Sequence, residues 1–338
     1  MKLLNLAAAA AMAAATFTTP IQAEEIKFGI GIGEGDFPEY NALVRFKEYV
    51  EFKTNGDITV RLFPNNQLGG EREMMEQVQQ GSLELTFVAD GAMGGFYPPM
   101  QVWAIPYLFE SAPLAWRVMN GPFADEMRAD ILDQTGMRAL AFSQNGFRSF
   151  TNNVRTVKNP EDLEGLKIRT MESPVFIELV GSLGATAVPI AGAEVLMALR
   201  QGVVDGQENP PAVVYGGGLG EVQKYYTLDE HVFGLHVILA NEDWFQGLEP
   251  GHQQIIRDAA ALMAWTENLQ KTEGDWSFSA KLQDELGMEV HVSTPEEKAA
   301  FKEITQAPVL TFIREQVGDE LVDALLSEVD AAKADMYQ

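Results

Sequence analysis

Arg169 stands in the run Gly165-Leu166-Lys167-Ile168-Arg169-Thr170, where Leu166, Ile168 and Thr170 alternate with the two basic residues. That period of two predicts a strand with Lys167 and Arg169 on one face. Ser173-Pro174 then opens a helix, so Arg169 comes at the carboxyl end of its strand. Arg148, in Asn145-Gly146-Phe147-Arg148-Ser149-Phe150, stands near the end of another predicted strand, and Asn209 follows in Asp205-Gly206-Gln207-Glu208-Asn209-Pro210. A guanidinium fork matches a carboxylate through two parallel hydrogen bonds, and a carboxamide supplies a donor and an acceptor beside it. The chemistry on offer is anion recognition. A surface or interdomain ion pair uses the same groups, and residue types alone do not separate the two uses.

Catalytic and metal chemistry have no positive feature. There is no cysteine, and the histidines at 231, 236, 252 and 291 form no ligand pair at helical spacing. No serine sits in GxSxG and no carboxylate group has calcium-loop spacing. The glycines of Gly29-Ile30-Gly31-Ile32-Gly33-Glu34-Gly35 run GxGxGxG, not GxGxxG, and no P-loop follows. A flexible turn at the carboxyl end of a strand, where α/β sheets hold ligands, is the better use for them. The reading is therefore a binding protein without cofactor or metal; a secreted enzyme is the remote alternative.

The elements that position these residues read as α/β throughout. Strands at Glu25–Ile32, Asp57–Phe63 and Leu83–Ala89 alternate with helices at Pro38–Lys53 and Glu71–Gln80, a βαβαβ series with a parallel sheet. A second series carries strands at Met137–Ser143, Phe147–Thr151, the Arg169 run and Thr186–Pro189, helices at Ser173–Leu183 and Gly192–Gln201, and a loop over Gly202–Pro211. Gly234–Ala240 reads as a buried strand returning to the first unit. Glu249–Leu286 is almost continuously helical, too long for one small domain at about 1.5 Å per residue. Thr294-Pro295-Glu296-Glu297 is a capping box, with Pro308 a kink in the helix it starts. The expected fold is two interleaved α/β domains, with a hinge and a long helix spanning both. The boundaries are 24–146 plus 234–275 for domain I and 147–233 plus 276–338 for domain II, which carries the arginines.

The chain has 338 residues and a formal net charge of −25. Such a surface repels nucleic acid and anionic lipid. Lys2, the apolar run Leu3–Thr16 and Ile21-Gln22-Ala23 predict a signal peptide over 1–23, cleaved near Ala23. The run is too short to span a bilayer, and no later stretch is long and apolar enough to insert.

The runs GLKIRTMESP, LGATAVPIAGAEVLMALRQGVVDGQENPP, GEVQKYY and EHVFG resemble the substrate-binding proteins of TRAP transporters, the DctP-like family. TNGDITVRLFPNNQLGGEREMMEQVQQGSLE is similar to the first domain of that family, so the resemblance covers nearly the whole mature chain. It implies that the two-domain α/β fold is of periplasmic-binding-protein type and that the chain is a periplasmic receptor, acting as a monomer, that delivers solute to a small and a large integral membrane subunit. It further implies that Arg169 pairs with a ligand carboxylate, with Arg148 and Asn209 as further ligand contacts.

This chain departs from the family pattern in places. Gly192 stands where many members carry an aromatic residue, and sialic-acid binders, similar in the arginine pair, carry charged residues in the stretch that here reads Val88-Ala89-Asp90-Gly91-Ala92. The Glu34-Gly35-Asp36 run is similar to the ectoine-binding branch, which has an acid near Ile32 and a tryptophan near Gly192 that are missing here. The expected solute is a small organic anion: a C4-dicarboxylate, a sugar acid or another carboxylate, with a sulfonate or an ectoine-like zwitterion as alternatives. Glu34, Asp36 and Asp90, at strand ends, are weaker candidates for ligand hydroxyls. Among the aromatics, Phe37, Trp103, Tyr215 and Phe233 could line a pocket, although core packing is their default. His231 reads as structural.

Overall fold

The computed structural model describes residues 24–336; the expected signal peptide over 1–23 lies outside the described residues. One sheet contains β1 (Glu24–Ile30), β2 (Ile58–Phe63), β3 (Leu85–Ala89), β4 (Met137–Asn152), β5 (Lys167–Thr170), β6 (Thr186–Pro189), β7 (Gly206–Asn209), β8 (Tyr225–Asn241) and β9 (Glu289–Val292). The order is β2-β1-β3-β8-β4-β7-β5-β6, with β9 pairing β8. β1 pairs in parallel with β2 and β3, and β5 in parallel with β6 and β7. These parallel groups form two lobes, one at each end of the sheet. The antiparallel strands β4 and β8 run between them.

Three expectations need correction here. The strands expected at Met137–Ser143 and Phe147–Thr151 are a single strand of 16 residues. Gln144-Asn145-Gly146 breaks the sequence alternation, and the structure absorbs it as a register shift between Gln144 and Gly146, with Gly146 at φ 119°. β8 begins nine residues before the expected Gly234. Asp229, Glu230 and His231 hid that stretch because they read as polar loop, yet Asp229 is buried and accepts a hydrogen bond from the Phe150 backbone N–H at 3.2 Å. Within the expected loop over Gly202–Pro211, Gly206–Asn209 forms the buried strand β7. Its side chains are paired: Glu208 with Arg148, and Gln207 Nε2 donating to Thr151 Oγ1 at 2.9 Å.

β7 fits only because position 206 has no side chain. A Cβ there would stand 2.0 Å from the Thr151 carbonyl oxygen and 3.0 Å from Asn152 Cα, both backbone atoms of β4. Gly206→Ala is expected to cost at least the roughly 1–3 kcal/mol of ordinary overpacking. Urea unfolding of the parent and the variant measures it, and equal midpoints would show that β7 can move aside.

The cores follow the pleat. Leu85 and Phe87 of β3, with Ile238 and Ala240 of β8, join Ile26, Phe28, Phe46 and Met263 on one face. Val88, Val237 and Leu239, on the other face, belong to a larger cluster that reaches Phe176 and Leu179 behind the second lobe. A third cluster, Val195, Leu199, Val214 and Leu282, packs the second lobe separately. One face thus has a continuous core, and the opposite face has two cores.

The helix Pro250–Asp284 has 35 residues, about 50 Å at 1.5 Å per residue, and packs against helix Pro38–Lys53, β4 and helix Pro211–Gly216. Ile256, Ala259, Ala260 and Met263 join the first-lobe core, and Leu282 the second. Between them the buried residues are polar. Ser143 Oγ donates to Glu267 Oε2 at 2.5 Å, the Gln144 N–H donates to Asn268 Oδ1 at 2.7 Å, and Lys271 pairs with Glu39. The expected capping box is present: the Glu297 N–H donates to Thr294 Oγ1 and the Thr294 N–H to Glu297 Oε2. The helix that it starts, Pro295–Val317, runs as one element with Pro308 inside. No helix among the described residues is long and apolar enough to cross a membrane.

Candidate functional site

A cavity of about 360 Å³ lies between the two lobes. The first lobe contributes the ends of β1 and β3 (Ile30, Gly31, Phe87, Ala89) and the starts of two helices (Glu39, Glu71). Arg169 and Asn209 come from the carboxyl ends of β5 and β7 in the second lobe, with Gly192 and Val195 beside them. The long strands supply Asn145, Arg148 and His236. Phe37 also lines the cavity and crosses to the second lobe: its Cδ1 lies 2.9 Å from where a Cβ on Gly216 would be, so glycine lets the ring approach.

Arg169, 3% exposed, donates from Nε to the Ile190 carbonyl oxygen at 2.8 Å, and among the described residues no carboxylate pairs with it. Burial pulls its pKa down to about 10, still well above neutral pH, with Glu208 acting in the opposite direction. Arg148 differs. It is 1% exposed; Nε meets Glu208 Oε2 at 2.5 Å, and Nη2 meets Oε1 at 2.8 Å and the Glu208 carbonyl at 2.7 Å. Only its Nη1, buried, has no partner among the described residues. Asn209 Nδ2 donates to Gln207 Oε1 at 2.5 Å.

Behind Arg148 stands an ion network. His231 Nδ1 is 2.8 Å from Asp229 Oδ2, and Nε2 is 3.5 Å from Glu208 Oε2, an ion-pair distance rather than a hydrogen bond. Burial raises the cost of the Glu208 charge, but Arg148 and His231 outweigh it and hold the carboxyl down at about 2. Burial likewise opposes charge on His231, yet Asp229 and Glu208 lift its pKa to about 9. That is above the 6.5 of a free imidazole. Its charge therefore stabilises the fold fully below pH 6.5, and the contribution is lost as pH rises through 9. Thermal melts from pH 6 to 10 should show this decline in the parent and a shallower one in His231→Gln; parallel curves would exclude it.

Sequence reasoning brings Arg169, Arg148 and Asn209 to one cavity. Of the weaker candidates Phe37 lines it, and the others lie outside its lining. Glu34 and Asp36 are exposed, and Asp36 accepts from Asn41 Nδ2 at 2.9 Å. Asp90 spends both oxygens on backbone N–H groups, Gly91 at 2.7 Å and Leu235 at 2.9 Å. Tyr215 donates to Glu285 Oε2 at 2.6 Å. Phe233 packs edge-on against Phe109 and Phe147, and Trp103 is buried against Phe109, Phe123 and Phe142. Sequence reasoning missed Glu39, Glu71, Asn145 and His236. The helix starts at Pro38 and Glu71 were visible, and an acid in the first turn after a strand end was the signal for the two glutamates. Glu71 Oε1 accepts the Ala89 N–H at 2.6 Å; burial outweighs that N–H, His236 and Arg169 and leaves its pKa raised above the usual carboxylate range. His236 Nδ1 is 2.7 Å from Glu267 Oε1.

Two α/β lobes joined by antiparallel crossing strands, with a cavity between them lined by apolar and charged side chains, define a solute-binding protein of the periplasmic type. Residues 32–316 match the bacterial extracellular solute-binding proteins of family 7, and the chain belongs to this DctP family. It is 32% identical to the 2,3-diketo-L-gulonate-binding periplasmic protein YiaO of Escherichia coli over 73% of this chain and 75% of that one. To the C4-dicarboxylate-binding periplasmic protein DctP of Rhodobacter capsulatus it is 31% identical over 86% of each. The crystal structure of the sugar acid binding protein DctPAm from Advenella mimigardefordensis, in complex with galactonate, superposes with a TM-score of 0.88 at 30% identity. That superposition covers 92% of this chain and 99% of DctPAm. The family is one of periplasmic TRAP solute-binding proteins, which bind small organic acids for TRAP membrane components and are not enzymes.

Proposed function

We propose that this protein captures a small organic anion between its lobes and presents it to the small and large membrane subunits of a TRAP transporter. One observation carries the reading: Arg169 is a buried, cavity-lining guanidinium, anchored through Nε, with no carboxylate partner among the described residues. Burying an unpaired charge is costly, so such a group is explained when a ligand anion completes it. Asn209 and the free Nη1 of Arg148 add donors beside it. The ligands of DctP and DctPAm, a C4-dicarboxylate and galactonate, support the same reading.

The lobes are 24–146 with 234–275, and 147–233 with 276–338. Gly146 and Gly234 are paired across β4 and β8 at this boundary, where a register shift makes the ladder irregular. Closure of the lobes about that pair brings the Arg169 side and the Glu71 side together. The chain acts as a monomer after loss of residues 1–23 in the periplasm. A thermal-shift screen of aldonates, uronates, C4-dicarboxylates, sulfonates and ectoine tests the reading. An organic carboxylate at 100 times its dissociation constant should add roughly 2.7 kcal/mol of stability. Mass spectrometry should recover it unchanged. Stabilisation by ectoine or a sulfonate alone would move the assignment to those classes, and steady conversion of the ligand would overturn it.

A further inference from the structure

We infer that Lys47 and Glu51 close the free edge of the sheet in the first lobe against a second copy of this chain, and that this guard keeps the receptor a monomer. The inference rests on the reading of the chain as a monomer and does not depend on which acid the cavity takes. β2 is the terminal strand of the sheet, and among the described residues no strand pairs with its outer side. Such an edge offers a row of backbone N–H and C=O groups to any chain that can add a strand.

β2 is also the kind of segment that adds strands. It reads Ile-Thr-Val-Arg-Leu-Phe: six residues, β-branched or apolar at every position but the arginine, with neither proline nor glycine. High β-propensity, low net charge and no proline are the marks of a pairing-prone hexamer. The opposite end of the sheet is blunted by simpler means. β6 has four residues and stops at Pro189, which has no N–H to offer. β2 has neither of those features.

One stripe of the helix Pro38–Lys53 and its cap supplies what β2 lacks. The Asp57 carbonyl accepts the Glu24 N–H at 2.8 Å, so the odd positions face β1 and the backbone groups of Ile58, Val60 and Leu62 face outward. Glu51 Oε1 accepts the Val60 N–H at 2.9 Å, and Lys47 Nζ donates to the Val60 carbonyl at 2.7 Å. The two side chains hold each other through a 2.6 Å contact from Nζ to Oε1. Thr54 Oγ1 accepts the Ile58 N–H at 3.2 Å. Positions 47, 51 and 54 are successive neighbours along one helix face. The Lys47 and Glu51 side chains are 37% and 31% exposed, and an ion pair so exposed contributes little to stability. What distinguishes it from the Arg45–Glu48 pair of the same helix is that both its members also bond the edge strand.

A two-fold axis through Val60 would pair β2 antiparallel with β2 of a second copy, setting Val60 opposite Val60 and Ile58 opposite Leu62. The central rung of that ladder needs the Val60 N–H and C=O, the two groups that Glu51 and Lys47 occupy. Sedimentation velocity on the mature chain, over a concentration series up to about 1 mM, tests the guard. The parent should stay monomeric. Lys47→Ala with Glu51→Ala leaves the net charge unchanged and should self-associate at least about tenfold more tightly than the parent. Arg45→Ala with Glu48→Ala removes the other ion pair and should behave as the parent does. Adding Val60→Pro to the unguarded variant removes the central donor at an edge position that tolerates proline, and should restore the monomer. Melting temperatures show which variants are folded. If the unguarded variant does not fold, Lys47→Ala alone decides: it frees the Val60 carbonyl and should still associate more tightly than the parent. A folded unguarded variant that stays monomeric, equal association after loss of Arg45 and Glu48, or association that survives Val60→Pro would overturn the inference and leave the monomer reading standing. A parent that self-associates over the same series would overturn both.

Discussion

Replacing Arg169 with alanine is expected to weaken binding of the captured acid by roughly 2–5 kcal/mol, about thirtyfold to a few thousandfold. The loss is large because the ligand charge would then be buried without a counter-charge in a cavity that excludes water when the lobes close. Arg169→Lys should recover part of it, since an ammonium restores charge but not the planar fork. The variant should still fold. In the parent, Arg169 has no ion pair to lose among the described residues, and its hydrogen bond there is the 2.8 Å contact from Nε to the Ile190 carbonyl. Calorimetry with the tightest acid of the screen decides. Affinity within about a factor of three of the parent would make Arg169 structural.

Glu208→Ala should act on the fold. Glu208 is fully buried between the Arg148 guanidinium and His231, and its removal leaves two buried cations facing the gap. Breaking a buried pair from one side costs about 3–5 kcal/mol. Replacing both partners, as in Arg148→Met with Glu208→Leu, should cost clearly less than the sum of the single changes, because no charge is stranded. The Glu208 carboxyl, held at about 2 against an ordinary 4.5, stabilises the fold fully above pH 4.5. That contribution is lost as pH falls toward 2. Urea unfolding of Glu208→Ala, Arg148→Met, Glu208→Leu and the double variant at pH 7 measures the stranded-charge cost; a Glu208→Ala midpoint equal to the parent's would show that the network contributes nothing.

The same pair marks the point where anion-binding chemistry and structural chemistry part. By residue type Arg148 and Arg169 are equivalent, each near the end of a strand in a polar run. In the fold, β7 lies beside β4 and sets Glu208 against Arg148, whereas among the described residues no carboxylate comes within ion-pair distance of Arg169. No spacing in the sequence encodes that difference, since Arg148 and Glu208 are 60 positions apart.

What the sequence determined by itself was local or periodic. The alternation of Leu166, Ile168 and Thr170, the helix Glu71–Gln80 and the capping box at Thr294 depend on neighbours within a few residues, so they could be read directly. The α/β class and a helix long enough to span both lobes followed from the same periodicities. The tertiary structure decided what depends on partners far along the chain. β7 and the first half of β8 look polar because their charges are satisfied only across the sheet, by Arg148 and by the Phe150 N–H. Glu71 is an ordinary helix-start acid in the sequence; it becomes a cavity wall only when the parallel sheet carries the end of β3 to it and the second lobe closes over the top. The physical reason is common to all of these. A polar residue is placed by whichever distant group removes the cost of burying it, and that group is known only once the chain has folded.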